Sequence, residues 1–267
     1  MRFDKNEVED RAIKIRQEHN IQTYGVKDIF SLIEQREIHL IRYPFGKNVL
    51  LGFSTAYEGN KVIVSNSSEI LSREIFTIAH ELGHILYDFE DCNQDVKIDV
   101  DISENSEDIA EERAFYFANC FLMPADQLGK YVRYVLKKSA EELTVLDIVR
   151  IQLEFNVSYS EVVKRLSDIG LIQMEHRRQL FSKDGNTSAQ LFKMLDADES
   201  LLKAFDKIKV PNQYLECVTS NYEKGYIPFS SLEKAFQALR KDAAFLKKPE
   251  QNTEEDLDLA EIFEEFE

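Results

Sequence analysis

Apolar residues recur at intervals of three and four along most of the chain, and the stretches that break this rhythm are short. Val8, Ala12 and Ile15 form a helical stripe behind Asp4, with Glu7 three residues on as the signature of an N-cap. Val26, Ile29, Phe30 and Ile33 form a second, shorter stripe. Residues 37–43 (EIHLIRY), 49–55 (VLLGFST) and 61–65 (KVIVS) are instead short and rich in β-branched or aromatic residues, separated by Pro44, Gly46 and Asn48 and then by Gly59-Asn60. They predict an antiparallel sheet of about three strands. Beyond Ser68 a long pattern through Tyr87 carries Ile75, Ile78, Ala79, Leu82, Ile85 and Leu86 at helical spacing. An acid-rich loop (88–107) follows, then a helix from Asp108 to Met123 that Pro124 ends, then an amphipathic helix over 125–137.

Two helices in close succession fill 139–170. Thr144 to Glu154 is the first, Asn156-Val157 the turn, and Ser158 with Glu161 caps the second, which stops at Gly170. The outline is that of a helix-turn-helix, but Lys164 and Arg165 are the only bases on its second helix, so a packing hairpin is the preferred reading. Further helices are expected around 188–206, 211–224 and 230–246, and from Lys247 the chain reads as a linker and an acidic tail.

Composition narrows the class. Nine Gly and five Pro in 267 residues are too few for a turn-rich sandwich or barrel. The beginning, MRFDKNEVED, has no apolar h-region, and no stretch approaches the length of a transmembrane helix. Cys92, Cys120 and Cys217 are scattered and odd in number, so the expected compartment is the reducing cytoplasm. A net charge of −16 argues against direct nucleic-acid binding, which needs clustered Lys and Arg.

The chemistry concentrates in His80-Glu81-Leu82-Gly83-His84, an H-E-x-x-H inside a predicted helix. Histidines at i and i+4 project from one face, so both imidazoles can reach one ion, and Glu81 beside them can act as general base. The long metzincin form of the motif fails, because Tyr87 stands at its glycine and Glu90 at its third histidine. A third ligand must then come from a downstream helix, which offers Glu111 and Glu112. Glu111 shares a stripe with Ala114, Ala118 and Phe121, whose small residues allow close helix approach; Glu112 lines up with Phe115, Tyr116 and Asn119. The stripe favours Glu111 and leaves Glu112 as the alternative.

His80-Glu81-Leu82-Gly83-His84 followed by Glu111-x-x-Ala114-x-x-Phe117-Ala118 and Leu122-Met123-Pro124 resembles the ImmA/IrrE-type metallopeptidases over roughly residues 5–175. These are bacterial and phage regulators that inactivate a helix-turn-helix repressor. The resemblance implies a zinc-dependent endopeptidase with Glu111 as third ligand, acting on a helix-turn-helix repressor or antitoxin-like partner. The residue before the family's alanine is often acidic; here it is Arg113, which keeps Glu112 open. A non-proteolytic, metal-dependent module that sequesters a DNA-binding partner is the alternative function. The expected architecture is α+β and helix-dominated: a zincin-like domain (1–137) with a small three-stranded sheet packed on the H-E-x-x-H helix, a helix-turn-helix-like segment (138–175), a helical C-terminal region (176–246), and a linker with acidic tail (247–267). Tyr87, Tyr116, Tyr131, Tyr134 and His176 are candidates for stabilising an oxyanion, and Asp88, Asp91 and Asp108 for orienting the histidines. Cys92, eight residues past His84, is read as a partly buried thiol and not as a ligand.

The −16 is not evenly spread. Residues 88–112 hold eleven acids and one base, and 249–267 hold nine acids and no base, so the rest of the chain is slightly basic. The first cluster flanks the expected metal and suits either solvation or a basic substrate. In the second, Leu259, Ile262, Phe263 and Phe266 fall at helical spacing among the acids, a pattern read first as disorder and second as a docking element that mimics DNA charge.

Overall fold

The structure is a computed structural model that describes residues 3–57, 59–89, 97–99, 108–181 and 185–247. It divides into two compact units, Met1–Pro211 and Asn212–Glu267. The first unit is α+β and helix-dominated, as expected.

Helix α1 (Lys5–Glu18) starts at Asp4, whose carboxylate accepts from the Asn6 amide at 2.9 Å, and it buries Val8, Ala12 and Ile15. Helix α2 (Ile29–Gln35) leads into β1 (Ile38–Tyr43), followed by β2 (Gly52–Tyr57) and β3 (Asn60–Asn66). The sheet order is β1-β3-β2-β4, with a short fourth strand β4 (Lys97–Asp99) added to β2. The pairing departs from the antiparallel expectation on one side. β2 runs antiparallel to β3 and to β4, but β1 runs parallel to β3, with Ile38 opposite Lys61 and Tyr43 opposite Asn66. The reason is burial: Ile63, Ser65 and Asn66 of β3 are fully enclosed, so β3 takes the centre and the long β1–β2 connection carries the chain past it. β1 is not left as a bare edge, because Arg42 and Lys209 exchange two backbone hydrogen bonds of 2.8 and 2.9 Å.

Helix α3 (Leu71–Tyr87) lies against β2 and β3, and α4 (Ile109–Leu122) lies against α3 on one side and α1 on the other. Asp108 caps α4 through the Ala110 amide at 2.8 Å. Arg16, buried on α1, donates to the carbonyls of Phe121, Thr23 and Tyr24 and so ties the end of α4 to the N-terminal segment. The expected helix over 125–137 is α5 (Ala125–Lys130) continued by a wide π-type turn (Tyr131–Leu136) that stops at Lys137, φ 55°.

Helices α6 (Val145–Phe155) and α7 (Tyr159–Asp168) form the helix-turn-helix-like pair, with Asn156 in the left-handed turn at φ 56° and Ser158 capping α7. Only Asp168 of α7 is exposed. Lys164 pairs with Glu161 at 3.1 Å, and the buried Arg165 donates to the Met123 carbonyl. Both bases are thus engaged within the chain.

Helix α8 (Met174–Phe181) precedes α9 (Gly185–Met194). The helix expected over 188–206 ends early, because Asp196 turns left-handed at φ 49°, and the chain continues as a strap whose Ala204 bridges to Ile70. In the second unit, α10 (Asn212–Glu223) and α11 (Phe229–Ala238) enclose a small core of Leu232, Phe236 and Ala243. α11 stops eight residues before the expected 246, where Arg240 turns left-handed at φ 54°. The tail 249–267 lies outside the described residues.

Asp147 anchors the start of α6. Its carboxylate accepts from the Thr144 amide and hydroxyl and pairs with Lys138 at 2.6 Å. Burial alone would raise its pKa, but the hydrogen bonds from Lys138 and Thr144 outweigh burial and hold it below the ordinary value. A depressed folded-state pKa stabilises at pH above the unfolded value near about 4 and loses that contribution as pH falls further. Asp147→Asn should therefore lower the Tm at neutral pH and flatten its fall below pH ~4; melting curves across that range check both features.

Candidate metal centre

The spacing of His80 and His84 on α3 brings their rings together at a 4.8 Å centroid separation and 75° to one another. Their Nε2 atoms lie 3.0 Å apart. Glu111, from the first turn of α4, reaches both: Oε2 is 3.1 Å from His80 Nε2 and Oε1 is 3.2 Å from His84 Nε2. Of the two glutamates, Glu111 is the one beside both histidines, whereas Glu112 lines a separate cavity with Tyr116 and Asn119.

Glycine makes the approach of the two helices possible. A Cβ on Gly83 would stand 3.0 Å from the Ala114 Cα, so any side chain there pushes α4 outward and carries Glu111 with it. Gly52 on β2 does the same for α3: a Cβ there would come within 2.6 Å of the Thr77 methyl and 3.4 Å of Glu81 Oε1. His80, Glu81 and His84 are all at most 1% exposed, while the Glu111 side chain is 20% exposed. The sequence places the ligand pair opposite the core stripe; both faces of this helix are in fact buried, and the cluster opens toward solvent at Glu111.

Asp88 Oδ2 accepts from His84 Nδ1 at 2.6 Å, which fixes the tautomer that turns Nε2 toward the cluster. Arg113 donates to the other Asp88 oxygen. This Arg113–Asp88 pair beside the cluster is a contact that the sequence does not predict. The place of Arg113 directly before Ala114, where the family often carries an acid, is the sequence signal that marks it. Asp108 caps α4, and Asp91 and Cys92 lie outside the described residues.

Three of the oxyanion candidates, Tyr116, Tyr131 and His176, have hydrogen-bond partners outside the cluster. Tyr87 lies between Arg11 and Arg113, each 4.7–4.8 Å from its ring, and burial raises its pKa to about 12. Tyr116 donates to Glu9, Tyr131 to the Arg150 carbonyl, and His176 pairs with the Leu143 carbonyl. Tyr134 is exposed.

The electrostatics suit a cation. Burial pulls the His84 imidazolium down, but hydrogen bonds to Asp88 and Glu111 and the charges of Glu81 and Glu111 outweigh it and raise the pKa to about 9. Burial likewise pushes Glu111 up, and the two histidines more than offset it, holding its carboxyl well below the usual range. The site attracts positive charge. Two imidazole nitrogens and one carboxylate oxygen converging in a buried, net-negative cluster are the donor set of a three-ligand metal site.

An H-E-x-x-H helix with a carboxylate delivered by a second helix defines a metallopeptidase-type site. Residues 33–167 match the family model of peptidase M78, the IrrE N-terminal-like domain. The chain belongs to this family, and both ligand helices lie within the matched span. A search for similar curated proteins finds no match.

If His80, His84 and Glu111 hold the metal, Glu111→Gln should weaken its affinity by more than about 100-fold, and Asp88→Asn by about 10–100-fold. Glu112→Gln should leave it unchanged. Titration of the three variants against a fluorescent chelator reads the order directly.

Proposed function

We propose that the protein is a zinc-dependent endopeptidase that cleaves a helix-turn-helix repressor or antitoxin-like partner, with Glu81 as general base. The observation that carries the reading is the convergence of His80, His84 and Glu111 beside the fully buried Glu81. The two-imidazole, one-carboxylate set suits zinc and leaves a coordination position for the reaction. Zinc, when bound, supplies Lewis acidity, polarising a carbonyl and acidifying water toward a pKa of about 7. Glu81 takes the proton from the attacking water and passes it to the leaving amine, so that an amine and a carboxylic acid result. Asp88, held by Arg113, keeps His84 in one tautomer and orientation throughout.

The partner follows from the family resemblance and from charge. Lys164 and Arg165 of α7 are engaged within the chain, which supports a helix-turn-helix-like segment that does not read DNA. The surplus of acid at 88–112 and 249–267 suits a partner with a basic DNA-binding surface. None of the described helices is long and apolar enough to cross a membrane.

Purified protein, zinc and the repressor encoded beside its gene should yield cleavage, and Glu81→Gln should slow it by about a hundred- to ten-thousandfold while retaining the metal. Cleavage by both proteins, or by neither, contradicts the mechanism; regulation by Glu81→Gln with the partner intact favours sequestration. Removal of residues 249–267 should slow cleavage of the partner and leave a short generic peptide unaffected. Equal rates on the partner would remove the tail from recognition.

A further inference from the structure

The second unit is thinly covered. Helix α10 buries none of its 12 residues, and α11 buries only Leu232 and Phe236. With Ala243 these two make the whole buried core of the pair, and Leu215, Val218, Tyr222, Phe229 and Leu246 packed around it stay half-buried. Leu215, Val218 and Tyr222 recur at intervals of three and four, so they share one face of α10. Spans shorter than about 40 residues seldom hold a core without a disulfide, a metal or a further packing element. Residues 212–247 contain a single cysteine, Cys217, and it is free and exposed. In the same unit Tyr226 and Phe245 are 74% and 77% exposed.

Charge in this unit is as uneven as its burial. Residues 224–247 hold five bases and two acids, whereas 249–267 hold nine acids and no base. Lys224, Lys234, Arg240 and Lys241 are exposed and form no ion pair among the described residues. We propose that α10 and α11 are the seat of the chain's own acidic segment, residues 254–267. As a third helix it packs Leu259, Ile262, Phe263 and Phe266 on the half-covered apolar face and sets its acids against those cations. The four apolar positions follow the i, i+3, i+4, i+7 pattern of one helical stripe. Reach is no obstacle. Eleven residues separate Lys247 from Leu259, a span of up to about 40 Å when extended, against lengths of about 18 and 15 Å for α10 and α11. A second copy of the helix pair would set cations against cations, so charge favours the segment. A basic partner that takes hold of the segment must draw it off this seat, so seat and partner compete for it. That competition rests on the function proposed above; the seat itself does not.

The test is amide hydrogen exchange of the full-length protein, with light scattering on the same samples. Ile262→Asp/Phe263→Asp, which breaks the apolar stripe, should speed exchange in α10 and α11 by at least about tenfold and leave α3 and α4 unchanged. Arg240→Glu/Lys241→Glu, two changes at exposed sites, should speed the same amides severalfold at low salt, and the difference from wild type should shrink as salt rises. Adding Glu264→Lys/Glu265→Lys to that variant should restore part of the protection, which a loss of local structure alone would not allow. Equal exchange of α10 and α11 in the wild type and in Ile262→Asp/Phe263→Asp overturns the proposal. So does a wild-type dimer that Ile262→Asp/Phe263→Asp turns into a monomer, because the face is then covered by a second copy.

Discussion

The site depends on how closely α4 lies on α3. Gly83 stands between the two histidines of the motif, and the Ala114 backbone occupies the space its side chain would have filled. Closer approach than ordinary side chains permit brings the first turn of α4 within reach of both imidazoles. One glycine and one alanine thus set the position of Glu111, three residues before Ala114 on the same helix face. The rest of the first unit supports that contact. β2 holds α3 from the other side through Gly52, and Arg16 fastens the far end of α4 through the Phe121 carbonyl.

Charge is arranged around that frame with the same economy. Glu81, Asp88 and Glu111 surround two imidazoles at a site closed to water on most sides, and Arg113 offsets part of the excess by pairing with Asp88. The result raises the His84 pKa and lowers that of Glu111, two consequences of one field. A cation of higher charge than a proton is held by the same field more strongly. The cluster is thereby suited to a cation, with the buried carboxylate of Glu81 on the same helix.

Much of this was legible in the sequence, and the legible part is local. The i, i+4 histidines, the Asp4 and Ser158 caps, the Asn156 turn and the Ala114–Ala118 stripe each express helical periodicity or capping within a few residues. The sheet order was not legible, because alternation marks a strand and not its neighbour, and β3 reaches the centre through pairings distant in sequence. β4 is a three-residue strand inside an acidic run, with no alternation long enough to read. The early ends of α9 and α11 escaped for another reason: Asp196 and Arg240 adopt the left-handed conformation without the glycine that would have announced it. Arg113 was visible as a departure from the family pattern, and only the fold shows that it meets Asp88, 25 residues away.

Zinc-edge X-ray absorption of the reconstituted protein tests the central assignment most directly. One zinc per chain, with scattering from two imidazoles and the remaining ligands all oxygen or nitrogen at about 2.0–2.2 Å, is the expected shell. A sulfur shell near about 2.3 Å, or a third imidazole, would place the metal on other residues and contradict it.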